Sequence, residues 1–341
     1  MKVYYNSNMR SSEKGLGGFR QRVNWQFEFN GAKRYIPVVY RFPKGIVFDI
    51  ITILDETKLR EFFEKYKDIE ETLTPLQERC AEEEHPYHSV SIKKIWINGK
   101  EEEGGYSSSG TVNAPWEQDD TLIPIQKAYS HILKDNAYFA CSRFCVPYPK
   151  SNSKLQKILR FFRLYKVKTI KIVTYPVKNF LPLDIHFEIP VDKNQKEISF
   201  NHPLTGTTHK IYFQNPELIE FPASECEKHS FYVMQLTYEI YPELQQGDTL
   251  EFTSSMKYTE TKTSEEKFSP TSTSSFGIIG GACGPTAIFI SSKEKDIPKG
   301  LHGLPLYSCF SVPSFEKKDI GLFILEGINI ETCNSKEYNF Q

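Results

Sequence analysis

No stretch of this chain approaches the ~20 consecutive apolar residues that a helix needs to cross a bilayer. The longest uncharged segment, between Lys267 and Lys293, is Ser and Thr rich at first and then carries four glycines and Pro285. In lipid those helix breakers would need neighbouring spans to cover them, and the chain offers none, so no membrane insertion is expected. Net charge is also lacking: 42 Lys and Arg stand against 43 Asp and Glu, a formal balance of −1. Seven cysteines, at 80, 141, 145, 226, 283, 309 and 333, are odd in number and scattered, which excludes a disulfide framework and fits reduced thiols. The opening MKVYYNSNMRSSEKGLGG has no apolar h-region, and with the thiols it leads to the expectation of a cytoplasmic protein. Cys80, His85 and His88 lie close in sequence without a second ligand pair, and Cys141 and Cys145 are isolated, so neither zinc nor another cofactor is implied.

What is present is apolar and aromatic. Hydrophobic residues make up 39% of 341, with 25 Phe and 19 Tyr, enough to offset chain entropy over two lobes, 1–165 and 166–341. In the first lobe Val23, Trp25, Phe27 and Phe29 alternate with polar residues, then Asn30-Gly31 precedes KRYIPVVY, a hairpin signature. GIVFDIITIL reads as a further strand. Asp55 is placed to cap a helix whose Leu59, Phe62, Phe63, Tyr66 and Ile69 share a face. Asn98-Gly99 repeats the turn signal, and helices are expected over 125–134 and 153–165.

From Lys166 the period changes to two. VKTIKIVTY, LDIHFEI, KEISF, HKIYF, FYVMQLTYEIY and DTLEF read as strands, separated by Pro, Asn and Gly. With no helices between them a βαβ arrangement is excluded. The expected fold class is α+β, mainly β: an antiparallel, sandwich-like C-terminal lobe beside a mixed lobe of helices and hairpins. The tail, LHGLPLYSCFSVPSFE and IGLFILEGINIE, is placed to return strands to the same sheets.

Residues 276–290 read FGIIGGACGPTAIFI. This segment resembles IGGADGPTAIF, a signature of the β subunits of sodium-translocating decarboxylases, where the segment lies in a multi-span membrane subunit and its acidic residue takes part in sodium handling. Cys283 occupies that acidic position here, and a neutral thiol is a poor partner for a hard cation. The pump subunit is therefore rejected. HFEIP, ISFNHPLTG and IIGGACGPTAIF together resemble a group of uncharacterised soluble proteins from gut clostridia, which implies a soluble fold and no particular activity. Physically, the glycine-rich segment 277–286 reads as a turn between strands, with Gly280, Gly281 and Gly284 free to take positive φ.

Three site readings follow. Glycine-flanked Cys283 is a candidate nucleophile, with His302 and His186 as candidate bases, for a Cys–His hydrolase or transferase. Asp184, His186 and Glu188 project from one strand face at intervals of about 6.6 Å, a spacing that suits a metal site or an acid–base pair as well as a solvated face. The third reading rests on charge. Residues 55–84 hold eleven acids and five bases, whereas residues 137–182 hold ten Lys or Arg and no acid.

Within the basic stretch, KLQKILRFFRLYK puts Leu155, Ile158, Leu159, Phe162 and Tyr165 on one helical face, with Lys154, Lys157, Arg160 and Arg163 around the rest. Such a helix docks on phosphate backbones, an anionic membrane surface or an acidic protein. Alternatively its apolar face is core and its charges either complement the acidic helix of the first lobe or remain solvated, which is the favoured expectation. Taken together the residues point first to a non-enzymatic binding or assembly protein, with a homo-oligomer or protein partner. The Cys283 enzyme and the polyanion or acidic-surface binder are the alternatives, and nucleic acid is the less favoured partner.

Overall fold

The computed structural model describes residues 1–9, 16–69, 72–114, 122–134, 138–192, 196–222, 230–253 and 298–341. The glycine-rich segment with Cys283 lies outside them. The chain forms two compact units, one from Met1–Asp68, Glu84–Val177 and Cys333–Gln341, the other from Ile69–Glu83 and Lys178–Thr332. The class is α+β and mainly β, with four antiparallel sheets and few helices among the described residues.

In the first unit, β1 (Phe19–Phe29), β2 (Ala32–Arg41), β3 (Gly45–Ile53), β6 (Ser107–Asn113) and β7 (Phe139–Pro147) form a sheet in the order β1-β2-β3-β7-β6. The β1–β2 turn works because Asn30 and Gly31 both take positive φ, 49° and 69°, which matches the twist of the flanking strands. A second sheet runs β16 (Glu337–Phe340), β8 (Ile170–Thr174), β4 (Ile92–Ile97) and β5 (Lys100–Glu101). One apolar cluster draws on both sheets, with Trp25, Phe27, Ile36, Phe48 and Phe144 from the first and Ile95, Ile97, Ile172 and Phe340 from the second.

The other face of the first sheet is covered as well. Tyr40, Val47, Ile51, Phe139 and Cys141 pack with Leu122, Ile125, Tyr129 and Leu133 from α3 (Ile123–Ala128), α4 (Ser130–Leu133) and their flanks. The helix expected over 125–134 is thus two short pieces, broken at Tyr129, whose φ of −112° and ψ of 20° leave the helical region. Strands β3 and β7 are buried on both faces, so any charge on them must find a partner inside the protein. Helix α1 (Glu56–Tyr66) starts as expected: Asp55 accepts hydrogen bonds from the Thr57 and Lys58 amides at 3.0 and 3.3 Å.

In the second unit, β10 (Lys196–Asn201), β11 (Thr208–Phe221), β12 (Phe231–Tyr241) and β14 (Tyr307–Phe310) form one sheet. β13 (Thr249–Phe252), β15 (Ile320–Cys333) and β9 (Val177–Pro190) form another. Phe187 and Ile189 of β9, Phe323 and Leu325 of β15, and Phe213, Leu236 and Tyr238 of the first sheet share one core. The alternation along 183–189 holds, with Asp184, His186 and Glu188 exposed. Helix α2 (Pro75–Glu84) places Arg79 of this unit 3.4 Å from Glu251 and over the Phe180 ring.

Candidate functional site

Helix α5 (Lys154–Phe161) begins where sequence rules put it: the Ser153 hydroxyl accepts from the Gln156 amide at 3.3 Å. It ends in a tight turn. The amides of Leu164 and Tyr165 both reach the Leu159 carbonyl, at 2.7 and 3.1 Å, while Arg163 takes a φ of 59°. The first turn has no acid, and Lys154 sits at the positive end of the helix dipole, where an acid would be the stabilising choice.

The orientation of α5 corrects the expectation that its apolar face is core. No residue of the helix is buried. Leu155 is 66% exposed, Phe161 67% and Phe162 62%, and Ile158 and Leu164 are exposed too. Phe161 and Phe162 lean edge to face on one another, ring centres 5.2 Å apart. This is on the order of 500 Å² of outward apolar side chain, the size of the largest apolar patch on a typical monomer, which is often a functional surface. Lys154, Lys157, Lys166 and Lys168 are exposed around it.

The four basic candidates are divided by the fold. Lys154 and Lys157 face solvent, but Arg160 and Arg163 turn inward. Arg160 lies over the rings of Tyr148 and Tyr165 at 4.6 and 5.0 Å and donates to the Pro149 carbonyl at 2.9 Å. Arg163 donates to the Gly17 carbonyl at 2.8 Å. These two arginines anchor the helix; the lysines and the apolar residues are its presented surface.

No protein-family model matches the chain. Neither does any curated protein or solved structure.

His302, a candidate base, lines a cleft of about 370 Å³ in the second unit together with Lys196, Glu197, Tyr212, Gln214 and Glu239. Its ring stands edge to face against Tyr212, centres 4.2 Å apart. The Glu239 carboxylate, 1% exposed, accepts from the His302 amide at 3.0 Å, the Leu304 amide at 2.9 Å and the Gln214 side chain at 3.4 Å. The loop can wrap the carboxylate so closely because residue 300 is glycine: a Cβ there would lie 2.3 Å from Glu239 Cδ. With its donors supplied by the backbone, Glu239 acts as the anchor of this loop.

His186 is not among the residues lining that cleft. It pairs with Asp184, Nε2 to Oδ1 2.9 Å, on an exposed strand face. Glu188 does not complete a metal site with them, for among the described residues no three His, Cys, Asp or Glu side chains are grouped as ligands. Cys283 lies outside the described residues. Cys141 and Cys145 are packed in the first unit, and burial pushes both thiols up, Cys141 well above its ordinary value.

Sequence reasoning passed over the charged residues of the double-faced sheet. Arg41, Asp49 and Arg143 each interrupt an apolar run, and they and Arg34 are buried. That interruption is the signal that marks them, because an ion among Val, Ile and Phe costs several kcal/mol unless paired.

Proposed function

We propose that the protein works by binding rather than catalysis, and that the presented face of α5 docks on the anionic surface of a lipid bilayer. The outward apolar stripe flanked by exposed lysines carries this reading. An apolar face wants a non-aqueous phase, and lysines beside it want negative charge; an anionic headgroup layer over acyl chains offers both. The helix would lie in the interface, and among the described residues no helix is long and apolar enough to cross. Burying half of the stripe is worth roughly 6 kcal/mol at 25 cal/mol per Å². Each lysine near the surface adds about 1 kcal/mol, so the apolar contribution leads and charge selects the surface. Nucleic acid supplies charge but little to receive Leu155, Ile158 and Leu164.

Flotation of the full chain with phosphatidylserine-containing and pure phosphatidylcholine vesicles tests the proposal. Retention on the anionic vesicles alone, lost in Ile158→Glu with Phe162→Glu, is expected. Equal retention in the variant, or binding to RNA or an acidic protein with none to vesicles, would sink it.

A further inference from the structure

Five buried side-chain polar atoms among the described residues have no hydrogen-bond partner: Arg34 Nε, Arg41 Nε and Nη1, Tyr148 Oη and Arg160 Nε. Arg34 is otherwise engaged, by the Thr52 hydroxyl at 2.5 Å and the His88 carbonyl at 3.0 Å. The other four atoms belong to one cluster. Arg160 reaches it from α5 and lies 4.6 Å over the Tyr148 ring, and Arg41 at the end of β2 acts electrostatically on the same phenol. The arrangement contrasts with Asp49 and Arg143 on the same sheet, where each buried charge finds its opposite.

Arg41 is 4% exposed, and among the described residues no carboxylate acts on it or on Tyr148. Burial lowers the Arg41 guanidinium, which Tyr148 only partly offsets. Burial likewise raises the Tyr148 phenol, to about 12 against the pull of Arg41 and Arg160, so it stays a neutral donor at physiological pH. Arg41 Nε and Nη1, Tyr148 Oη and Arg160 Nε are left without an acceptor, although Arg160 also donates to the Pro149 carbonyl. Leaving buried guanidinium donors unpaired is costly, and an oxyanion with several acceptor oxygens is the group that satisfies such donors together. The cover is slight: the Arg41 guanidinium sits 4.7 Å from the ring of Phe19, a surface side chain 53% exposed.

We infer that Arg41, Tyr148 and Arg160 form a binding site for a small tetrahedral oxyanion of the phosphate class. Because Arg160 belongs to α5, the inference deepens the docking proposal and rests on it for one of the two sources of the phosphate group, a lipid headgroup or a free phosphate. The site itself stands on Arg41 and Tyr148 even if α5 never meets a membrane.

The test uses the full chain and inorganic phosphate at constant ionic strength, with chloride as the control, read by thermal melting and calorimetry. Phosphate-specific stabilisation is expected, abolished in Arg41→Met and weakened about tenfold in Tyr148→Phe, which loses one charge-assisted hydrogen bond. Should Arg41→Met fail to fold, Tyr148→Phe and Arg160→Lys carry the comparison. Vesicles bearing phosphatidate provide the second arm: competition between them and inorganic phosphate, with retention dependent on Arg41, supports the site and names the headgroup as its source. Phosphate stabilisation without such competition supports it and names the free anion. No phosphate-specific shift together with vesicle retention indifferent to Arg41→Met, or an equal shift in both variants, overturns the site and leaves α5 docking to stand or fall on Ile158→Glu with Phe162→Glu.

Discussion

Asp49 and Arg143 face one another across β3 and β7 and form a two-pronged ion pair, Nε to Oδ1 2.7 Å and Nη2 to Oδ2 3.0 Å, with both side chains buried. Tyr129 donates its hydroxyl to the same carboxylate at 2.6 Å. Burial alone would lower the Arg143 guanidinium, but the Asp49 charge more than reverses this and holds it above its ordinary value. Removing one partner strands the other. Asp49→Asn should therefore cost about 3–5 kcal/mol in urea unfolding, and Asp49→Leu with Arg143→Met should recover most of it. A double variant no better than the single would show that the pair is a net source of stability.

Glu326 makes a prediction about pH. Burial raises its carboxyl, helped by Glu251 and Asp184 and opposed by Thr253 and Arg79. A folded-state value above the unfolded one means that the native protein holds the proton where the unfolded chain has released it. Stability contributed by this group thus falls as pH rises from the ordinary carboxylate value of 4.5 through the raised one. Glu326→Gln removes that fall: the variant should gain on the wild type as pH rises through this window, and the two should run parallel above it. Parallel curves throughout would refute the assignment.

The loop around Glu239 has no room at residue 300. Gly300→Ala places a methyl 2.3 Å from Glu239 Cδ and 2.4 Å from Gln214 Nε2, so the loop must shift. A loss of about 1–3 kcal/mol is expected, as for overpacked cores, with displaced His302 ring resonances in the NMR spectrum. Unmoved resonances would show that the carboxylate does not hold the loop.

The presented residues of α5 should matter little to folding. Leu155→Ser and Ile158→Ser are expected to change unfolding free energy by less than about 0.5 kcal/mol, the range for exposed positions. Asp55→Ala, equally on the surface, should cost about 1 kcal/mol because it strips the α1 cap. A large loss at Leu155 would mean that the helix packs inward after all.

Much of this fold was legible locally. The turns at Asn30-Gly31 and Asn98-Gly99, the caps at Asp55 and Ser153, and the alternation from Leu183 to Ile189 all follow from side-chain chemistry within a few residues. β7 was not anticipated, since FACSRFCVP mixes Ser, Cys and Arg into its apolar run and only the Asp49 partner across the sheet explains the arginine. Nor was α2, whose PLQERCAEEE shows little apolar period and is placed by Arg79. For α5, periodicity announced an apolar face but could not say what covers it. The convergence of Arg41 and Arg160 on Tyr148 joins residues 119 positions apart, beyond any local pattern.

The strand Glu337–Phe340 pairs with Ile170–Val173, and Trp25 Nε1 donates to the Gln341 carbonyl at 2.8 Å. Trp25 and Phe340 thus meet in the apolar cluster shared by the two sheets of the first unit, with the whole of 178–332 lying between them in sequence. The first unit is closed by residues that follow the whole of the second in the chain. Removing Glu337–Phe340 exposes an open β-edge on Ile170–Thr174.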